Sequence, residues 1–157
     1  MISIILPTYN ESGTGYLQSI LQRFADLPDC EVILVDGGSD DGTLKQLQAT
    51  PWRIEQLPGS SRAERLQRGL ELSTGDIVLL HHPRSLLDAS AISQLRELGN
   101  SSQRFWGGFT QSFDMQHPLL NFTSWYSNHI RLDRRQIVYL DHCLFIHRGL
   151  LDANLAI

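Results

Sequence analysis

Short apolar runs and longer amphipathic segments alternate along the first hundred residues. The runs are rich in isoleucine, valine and leucine, are too short for helices and are bounded by turn residues, as is typical of β-strands. They cover residues 2–6, 31–35, 53–57 and 76–80. The helix-length segments that separate and follow them cover residues 14–26, 40–48, 62–73 and 88–98. The alternation predicts parallel strands joined by right-handed crossovers, in a sheet that helices cover on both faces.

Two of the predicted helices have recognisable starts. Ser61 is followed three residues later by Glu64, which is the spacing of a capping box, and Arg62 then opens the helix. Ser39 follows the second strand and is expected to cap the helix after it.

The pattern becomes less regular after residue 100. Residues 105–115 mix aromatic, glycine and polar residues in a strand-like run. Residues 117–135 favour a helix, and residues 137–146 favour a further strand. No repeat, low-complexity tract or linker interrupts the chain.

Length and composition limit the class of protein. A chain of 157 residues with 41% apolar side chains suits one domain over residues 1–157 with a buried core. Within it, residues 1–100 form the regular half and residues 101–157 the less regular half. The formal net charge of −4 gives no basic excess for binding nucleic acid. The two cysteines, Cys30 and Cys143, fit neither a disulfide framework nor a zinc pattern.

The apolar runs also bear on location. All of them are strand-sized, so no segment approaches the roughly 18 to 20 residues that a transmembrane helix needs. Met1 leads straight into the first predicted strand, which leaves no room for a signal peptide. We therefore expect a soluble, cytoplasmic protein.

Polar residues follow each of the four predicted parallel strands. The clusters cover residues 7–11, 36–42, 58–62 and 81–84. Because the carboxyl ends of parallel strands meet at one edge of a sheet, and ligands of open α/β sheets bind there, the four clusters predict a ligand site at that edge.

Taken in order, three motifs carry a family resemblance. They are ISIILPTYNE at residues 2–11, EVILVDGGSDDGT at residues 31–43, and TGDIVLLH at residues 74–81, preceded by Arg62 and Gly69. Over essentially its whole length the chain resembles the family 2 glycosyltransferases. Segments 105–109, 117–120 and 141–148 resemble a small bacterial branch of that family.

The resemblance implies the GT-A fold, an α/β architecture with a mostly parallel central sheet flanked by helices. Its first half would bind a nucleotide-diphosphate sugar, most simply a UDP-sugar, and its second half the acceptor. Asp36 would accept a hydrogen bond from the base, and Arg62 would meet the diphosphate at a helix start. Transfer would invert the sugar. The implied donor-binding residues are Pro7, Thr8, Tyr9, Asn10, Glu11, Asp36, Gly37, Arg62, Asp76 and His81.

The sequence departs from the family at the metal motif. Family members carry acidic residues after the fourth strand that hold Mg²⁺ or Mn²⁺, and Pro83 stands there in this chain. A metal stays an open alternative, but hard cations prefer oxygen ligands, so His81 is a poor replacement for Mg²⁺, though a tolerable one for Mn²⁺. Adjacent strand residues point to opposite sides, so only one of His81 and His82 can face the site. Arg84 is the alternative source of positive charge.

A second departure concerns the catalytic base. The Glu-Asp pair that supplies it in the family would follow the segment at residues 151–157, where the sequence ends. Either the chain is truncated or the usual base is missing. Asp141 is the remaining candidate for the base, although its counterpart in the family could instead shape the acceptor side.

Other interpretations stay open. The chain could be a degenerate nucleotide-sugar-binding or interaction module that keeps the fold without the chemistry. Arg65 is expected to be a surface charge, and Trp106 either packs or stacks on a sugar. The expected partners are the nucleotide sugar and an unknown acceptor, without nucleic acid. Peripheral membrane association through a lipid acceptor is a further alternative.

Overall fold

The structure is a computed structural model that describes the backbone of residues 1–87, 89–101 and 103–154, and the side chains of these residues except 89 and 152–154. Six strands and six α-helices follow one another along these described residues. The strands are β1 (Ile2–Thr8), β2 (Cys30–Asp36), β3 (Arg53–Gln56), β4 (Ile77–Leu80), β5 (Trp106–Gly107) and β6 (Phe145–His147). The helices are α1 (Tyr16–Ala25), α2 (Thr43–Gln48), α3 (Arg62–Leu72), α4 (Ala89–Gly99), α5 (Pro118–Tyr126) and α6 (Arg148–Asn154).

The strands form one mixed sheet in the order β3-β2-β1-β4-β6-β5. Strands β1 to β4 are parallel, and β6 runs antiparallel to both β4 and β5. The predicted alternation of strands and helices and the mostly parallel sheet are therefore confirmed. The register between β1 and β2 sets Thr8 opposite Asp36, so the polar loops that follow these two strands begin side by side.

The helix starts follow the sequence only in part. The capping box of α3 is confirmed, since the Ser61 hydroxyl accepts from the Glu64 amide and the Glu64 carboxylate accepts from the Ser61 amide. The expectation that Ser39 caps α2 is wrong. Gly38 and Gly42 have left-handed φ angles of 92° and 96°, so the loop stays non-helical until Thr43.

The predicted strands of the second half are mostly wrong. Of residues 105–115, only β5 is a strand, and of residues 137–146 the strand β6 takes only the last two. A 3₁₀ turn at Leu140–His142 and a left-handed Cys143, with φ of 50°, interrupt the extended backbone. The predicted helix over residues 117–135 is divided into α5 and a π-helix at Ser127–Arg134.

The core lies on both faces of the parallel strands. Every residue of β1 is buried, and the side chains of Leu17, Ile20 and Leu95 pack onto the sheet from the helices. A Cβ atom on Gly69 would lie 2.3 Å from the Ile5 side chain, so the missing side chain lets α3 approach β1 closely. Of the helices that the structure describes, none combines the length and the apolar character needed to cross a membrane.

Candidate functional site

Asp36 lies at the carboxyl end of β2 and is fully buried. Its two carboxylate oxygens accept from the Ser39 amide, at 3.0 and 3.2 Å. The next residue, Gly37, donates its amide to the Thr8 carbonyl at 2.9 Å. The loops after β1 and β2 are therefore bonded to each other directly at the edge that the sequence indicated.

The loop after β1 is held by polar side chains of the loop after β2. The Asn10 amide donates to the Ser39 hydroxyl at 2.9 Å, and the Asn10 side-chain oxygen accepts from the Asp40 amide at 3.0 Å. The Glu11 amide donates to the Thr43 hydroxyl at 2.8 Å. These bonds hold Asn10 at its left-handed φ of 51°, so the loop has a fixed shape before any ligand binds.

Arg65 belongs to the same cluster, and the expectation of a surface charge is wrong. Its side chain is buried at 7% exposure, lies 5.8 Å from the centre of the Tyr9 ring, and donates to the Ser60 carbonyl at 2.6 Å. A Cβ atom on Gly37 would lie 2.3 Å from the guanidinium of Arg65. Gly37 is thus required for close approach by Arg65, and the sequence signal was the spacing Arg62–Arg65, which places both on one helix face.

Burial lowers the pKa of Arg65, and the nearby Arg62 charge lowers it further, whereas Asp36 and Tyr9 act in the opposite direction. Two buried polar atoms in this cluster, the Thr8 hydroxyl and the Arg65 Nε, have no hydrogen-bond partner among the described residues. Unpaired buried polar groups cost free energy, so both atoms mark a cluster whose polar groups are not fully satisfied by the described residues.

Asp76 is placed differently from the expectation. It lies just before β4, at the amino edge of the parallel strands, and its carboxylate pairs with the Met1 amino group at 2.7 Å. That ion pair lowers the pKa of Asp76. The proposed role on the base side is therefore wrong for geometric reasons, because the loops of the site lie at the opposite edge of the sheet.

The two histidines after β4 point to opposite sides. His82 lines the cleft, whereas His81, which the sequence favoured, is buried. His81 is buried with its ring 5.0 Å from that of Phe24 in an edge-on contact, and burial lowers its pKa to about 3. His82 is half-buried and lines the main cleft. Burial lowers the pKa of His82, the charges of Arg62 and Arg84 lower it further, and Asp141 raises it.

The cleft beside this edge has a volume of about 750 Å³. Asp141 is exposed on its wall, and the backbone carbonyl of Asp141 accepts from the Ser85 hydroxyl at 3.1 Å. A second carboxylate, Asp114, also lines the cleft and accepts from the Tyr16 hydroxyl at 3.1 Å, which raises the pKa of Tyr16. Sequence reasoning missed Asp114, although it is the acidic residue of the segment at residues 105–115.

His142 fixes the wall that carries Asp141. Its two ring nitrogens lie 2.8 Å from the Phe109 carbonyl and 2.9 Å from the Ser127 hydroxyl. The ring therefore joins the turn at Leu140–His142 to Phe109, two residues after β5, and to the π-helix. Asp141 is presented to the cleft by a turn that is bonded on both sides.

Arg84 enters the same cleft from the loop after β4. Its Nε donates to the Glu11 carboxylate at 3.0 Å, and its side chain is 56% exposed whereas that of Glu11 is 6% exposed. The pair connects the loops after β1 and β4. The sequence suggested Arg84 as a charge but gave no signal that Glu11 would hold it.

The residues at the end of β4 do not fit a divalent metal. Nowhere in the described part of the chain do three or more His, Cys, Asp or Glu residues gather in a cluster that could hold an ion. Pro83 has no donor in its side chain, His81 is buried in the core, and the cations Arg62 and Arg84 lie near His82. Positive neighbours and missing oxygen ligands both disfavour Mg²⁺ and Mn²⁺ there.

The structure thus brings the predicted residues at positions 7–11, Asp36, Gly37 and Arg62 together at one edge of the sheet. Asp141 lies on the wall of the adjoining cleft, which Arg84 also lines and connects to Glu11. It separates Asp76 and His81 from them. The binding roles of the first group stay predictions.

Comparison with known proteins identifies relatives of this arrangement. A family model described as glycosyl transferase family 2 matches residues 3–148. Among solved structures, S. aureus TarS 1–349 in complex with UDP-GlcNAc superposes with a TM-score of 0.72 at 21% identity over 98% of this chain. The mannosyltransferase PcManGT from Pyrobaculum calidifontis, in complex with GDP-Man and Mn²⁺, gives a TM-score of 0.71 at 20% identity over 97%.

A third solved structure is glucosyl-3-phosphoglycerate synthase from Mycobacterium tuberculosis, in complex with Mn²⁺, UDP and glucosyl-3-phosphoglycerate. It gives a TM-score of 0.65 at 22% identity over 96% of this chain. The chain spans 47%, 46% and 58% of the length of these three proteins, respectively. The likeness at these identities supports the GT-A fold.

Proposed function

The chain belongs to glycosyl transferase family 2, and on that premise we propose that it transfers a sugar from a nucleotide-diphosphate donor, most simply a UDP-sugar, to an acceptor hydroxyl. One observation carries the proposal. Asp36, a buried acceptor at the carboxyl end of β2, lies beside a second buried group, Arg65, that has an unpaired donor.

The opposite charges of Asp36 and Arg65 favour uracil as the base. Uracil presents an N–H donor flanked by carbonyl acceptors, so a carboxylate next to a guanidinium complements it. Asp36 would accept from the N–H, and Tyr9, Asn10 and Gly37 would surround the base and ribose. Arg62, the first residue of α3, would bind the diphosphate where its own charge and the helix dipole act together. Two neighbours, TarS and the glucosyl-3-phosphoglycerate synthase, are described with UDP-GlcNAc and with UDP bound, which supports this choice.

The proposed chemistry is one displacement at the anomeric carbon. The acceptor oxygen forms a bond to that carbon while the bond from the carbon to the diphosphate oxygen breaks, and the electron pair leaves with the nucleoside diphosphate. The hydroxyl proton passes to Asp141, which is the proposed general base. A single displacement inverts the configuration and needs one base, and Asp141 on the cleft wall is the carboxylate proposed for it.

Titration calorimetry with UDP tests the donor site. We expect Asp36→Asn to weaken UDP binding by about 10-fold, because the amide replaces one of the two acceptor oxygens with a donor and removes the negative charge that strengthens the bond from the uracil N–H, an effect of roughly 1–2 kcal/mol. Asp76→Asn is the matched control, since it removes a carboxylate at the opposite edge of the sheet. Equal UDP affinity for the wild type and Asp36→Asn would contradict the proposed placement of the base.

A degenerate binding module is the second candidate, and the unsuitable metal ligands after β4 favour it. Release or transfer of the sugar from UDP-sugars distinguishes the two. We expect turnover that is lost in Asp141→Asn and kept in Asp114→Asn, which removes the other carboxylate of the cleft. The same turnover in both variants would contradict the role of Asp141, and no turnover in the wild type would favour the module. Cytoplasmic location and a bacterial source stay predictions.

A further inference from the structure

Two arginines lie near His82, which follows β4 and lines the cleft. Arg62 opens α3 and Arg84 lies in the loop after β4, and both charges act on the His82 ring. The Arg84 amide donates to His82 Nδ1 at 3.1 Å, which leaves that nitrogen as an acceptor and the ring neutral. The positive charge of this region is therefore carried by the two arginines.

Arg84 is held in place by a buried carboxylate. The Glu11 side chain is almost inaccessible to solvent, and its loop is fixed through the bond from the Glu11 amide to Thr43. Only the Nε of Arg84 is used in the ion pair, and its two terminal nitrogens make no hydrogen bond within the part of the chain that is described. A guanidinium held at Nε keeps a pair of N–H groups free, and such a pair matches phosphate oxygens.

The charge of a leaving nucleoside diphosphate must be neutralised in the transition state, by a metal ion or by fixed cations. The residues after β4 do not fit a metal, as described above, whereas Arg62 and Arg84 are both present there. Of the two carboxylates near these cations, Glu11 is already paired with Arg84, and Asp141 lies on the cleft wall close enough to raise the pKa of His82. A metal ion that bound the Glu11 carboxylate would have to displace the Arg84 guanidinium.

Resting on the proposed function, we propose that Arg84, positioned by Glu11, acts together with Arg62 as a metal-independent binding site for the donor diphosphate. Arg84 contacts the diphosphate directly, and Glu11 is a positioning residue that acts through Arg84. The donor therefore binds without a divalent cation.

Calorimetric titration of the full chain with UDP and with uridine, in EDTA and in Mn²⁺, tests the proposal. We expect equal UDP affinity in both buffers. Arg84→Gln should weaken UDP binding at least about 10-fold and leave uridine binding unchanged, while Arg84→Lys keeps part of the UDP affinity. Arg68→Gln removes one positive charge on the outer side of α3 and should change UDP affinity less than about 2-fold. Thermal unfolding of each variant shows that it is folded.

A double-mutant cycle tests the positioning role. Glu11→Gln should weaken UDP binding in the wild-type background but have no further effect in Arg84→Gln, because Glu11 acts only through the guanidinium. An additive loss would contradict this role. UDP binding that requires Mn²⁺, or wild-type affinity in Arg84→Gln, would overturn the metal-independent site. Failure of the proposed function gives a different result, namely that the wild type binds none of UDP, GDP, ADP or dTDP in either buffer.

Discussion

The two halves of the molecule differ in how far their strands are paired and in how much of their apolar surface is buried. In the first half, β1 pairs with β2 over seven residues, and side chains bond the loops after these strands to each other. In the second half, β5 and β6 pair over two residues, and much of the apolar surface is exposed. The candidate donor site is therefore preformed by the first half.

The contrast is clearest between β1 and α5. All seven residues of β1 are buried. In α5 the side chains of Leu119, Phe122 and Trp125 are exposed, and Leu119 reaches 64% exposure. Phe122 and Trp125 stack on each other with ring centres 6.0 Å apart. Apolar burial therefore stabilises the first half, whereas the aromatic side chains of α5 contact mainly one another.

The largest expected effect compares the same substitution in the two halves. Leu34→Ala removes a fully buried side chain from β2 and should lower the free energy of unfolding by about 2–5 kcal/mol, because it leaves a cavity. Leu119→Ala removes an exposed side chain and should change it by less than about 0.5 kcal/mol. Urea unfolding of both variants measures the difference, and equal losses would show that α5 is packed as firmly as the sheet.

The free energy of unfolding should depend on pH through the buried side chain of His81. His81 has its pKa lowered to about 3 in the folded chain, against 6.5 when unfolded, so the unfolded state binds the proton first as the pH falls. Stability should therefore fall below pH 6.5, by about 2 kcal/mol between pH 7.5 and pH 5.

His81→Leu should remove this part of the pH dependence, and His129→Asn, which changes an exposed histidine of the second half, serves as the control. Urea unfolding at several pH values gives the comparison. Parallel pH profiles for the wild type and His81→Leu would show that His81 is not buried in a dry environment.

A smaller effect separates ligand binding from folding. In Gly37→Ala the new methyl group meets the flexible end of Arg65, so the fold should tolerate the change, but Arg65 must leave the Tyr9 ring. We expect UDP affinity to fall by about 10-fold, or 1.4 kcal/mol, with little change in stability. Gly13→Ala is the matched control because nothing lies within 4 Å of its added Cβ atom. Equal UDP affinity in the two variants would refute the role of the Gly37–Arg65 contact.

The first half could be predicted from the sequence because its signals are local. Apolar runs, the capping box at Ser61 and polar residues after each strand all describe short segments, and the parallel sheet follows from their alternation. The cluster around Asp36 could be predicted for the same reason. Ser39 was misassigned because the turn residues around it suit a cap and a loop equally, and only the left-handed glycines decide between them.

What the sequence could not provide depends on contacts between distant segments. The pair Glu11–Arg84 joins residues that are 73 positions apart, and the burial of Arg65 depends on the missing side chain of Gly37. The choice between His81 and His82 depends on which side of β4 faces Phe24. The sequence predicted β5 and β6 to be longer than they are, because β-propensity does not show whether a partner strand is present.

The central claim is that donor binding uses the preformed edge of the first half. Chemical-shift mapping of the ¹⁵N-labelled chain during titration with UDP tests it most directly. The account predicts that the largest amide shifts occur in residues 8–11, 36–40, 60–65 and 84, in EDTA as well as in diamagnetic Mg²⁺, while the amides of α5 stay unchanged. Shifts centred on α5 and the π-helix, with none at Asp36 and Gly37, would contradict it.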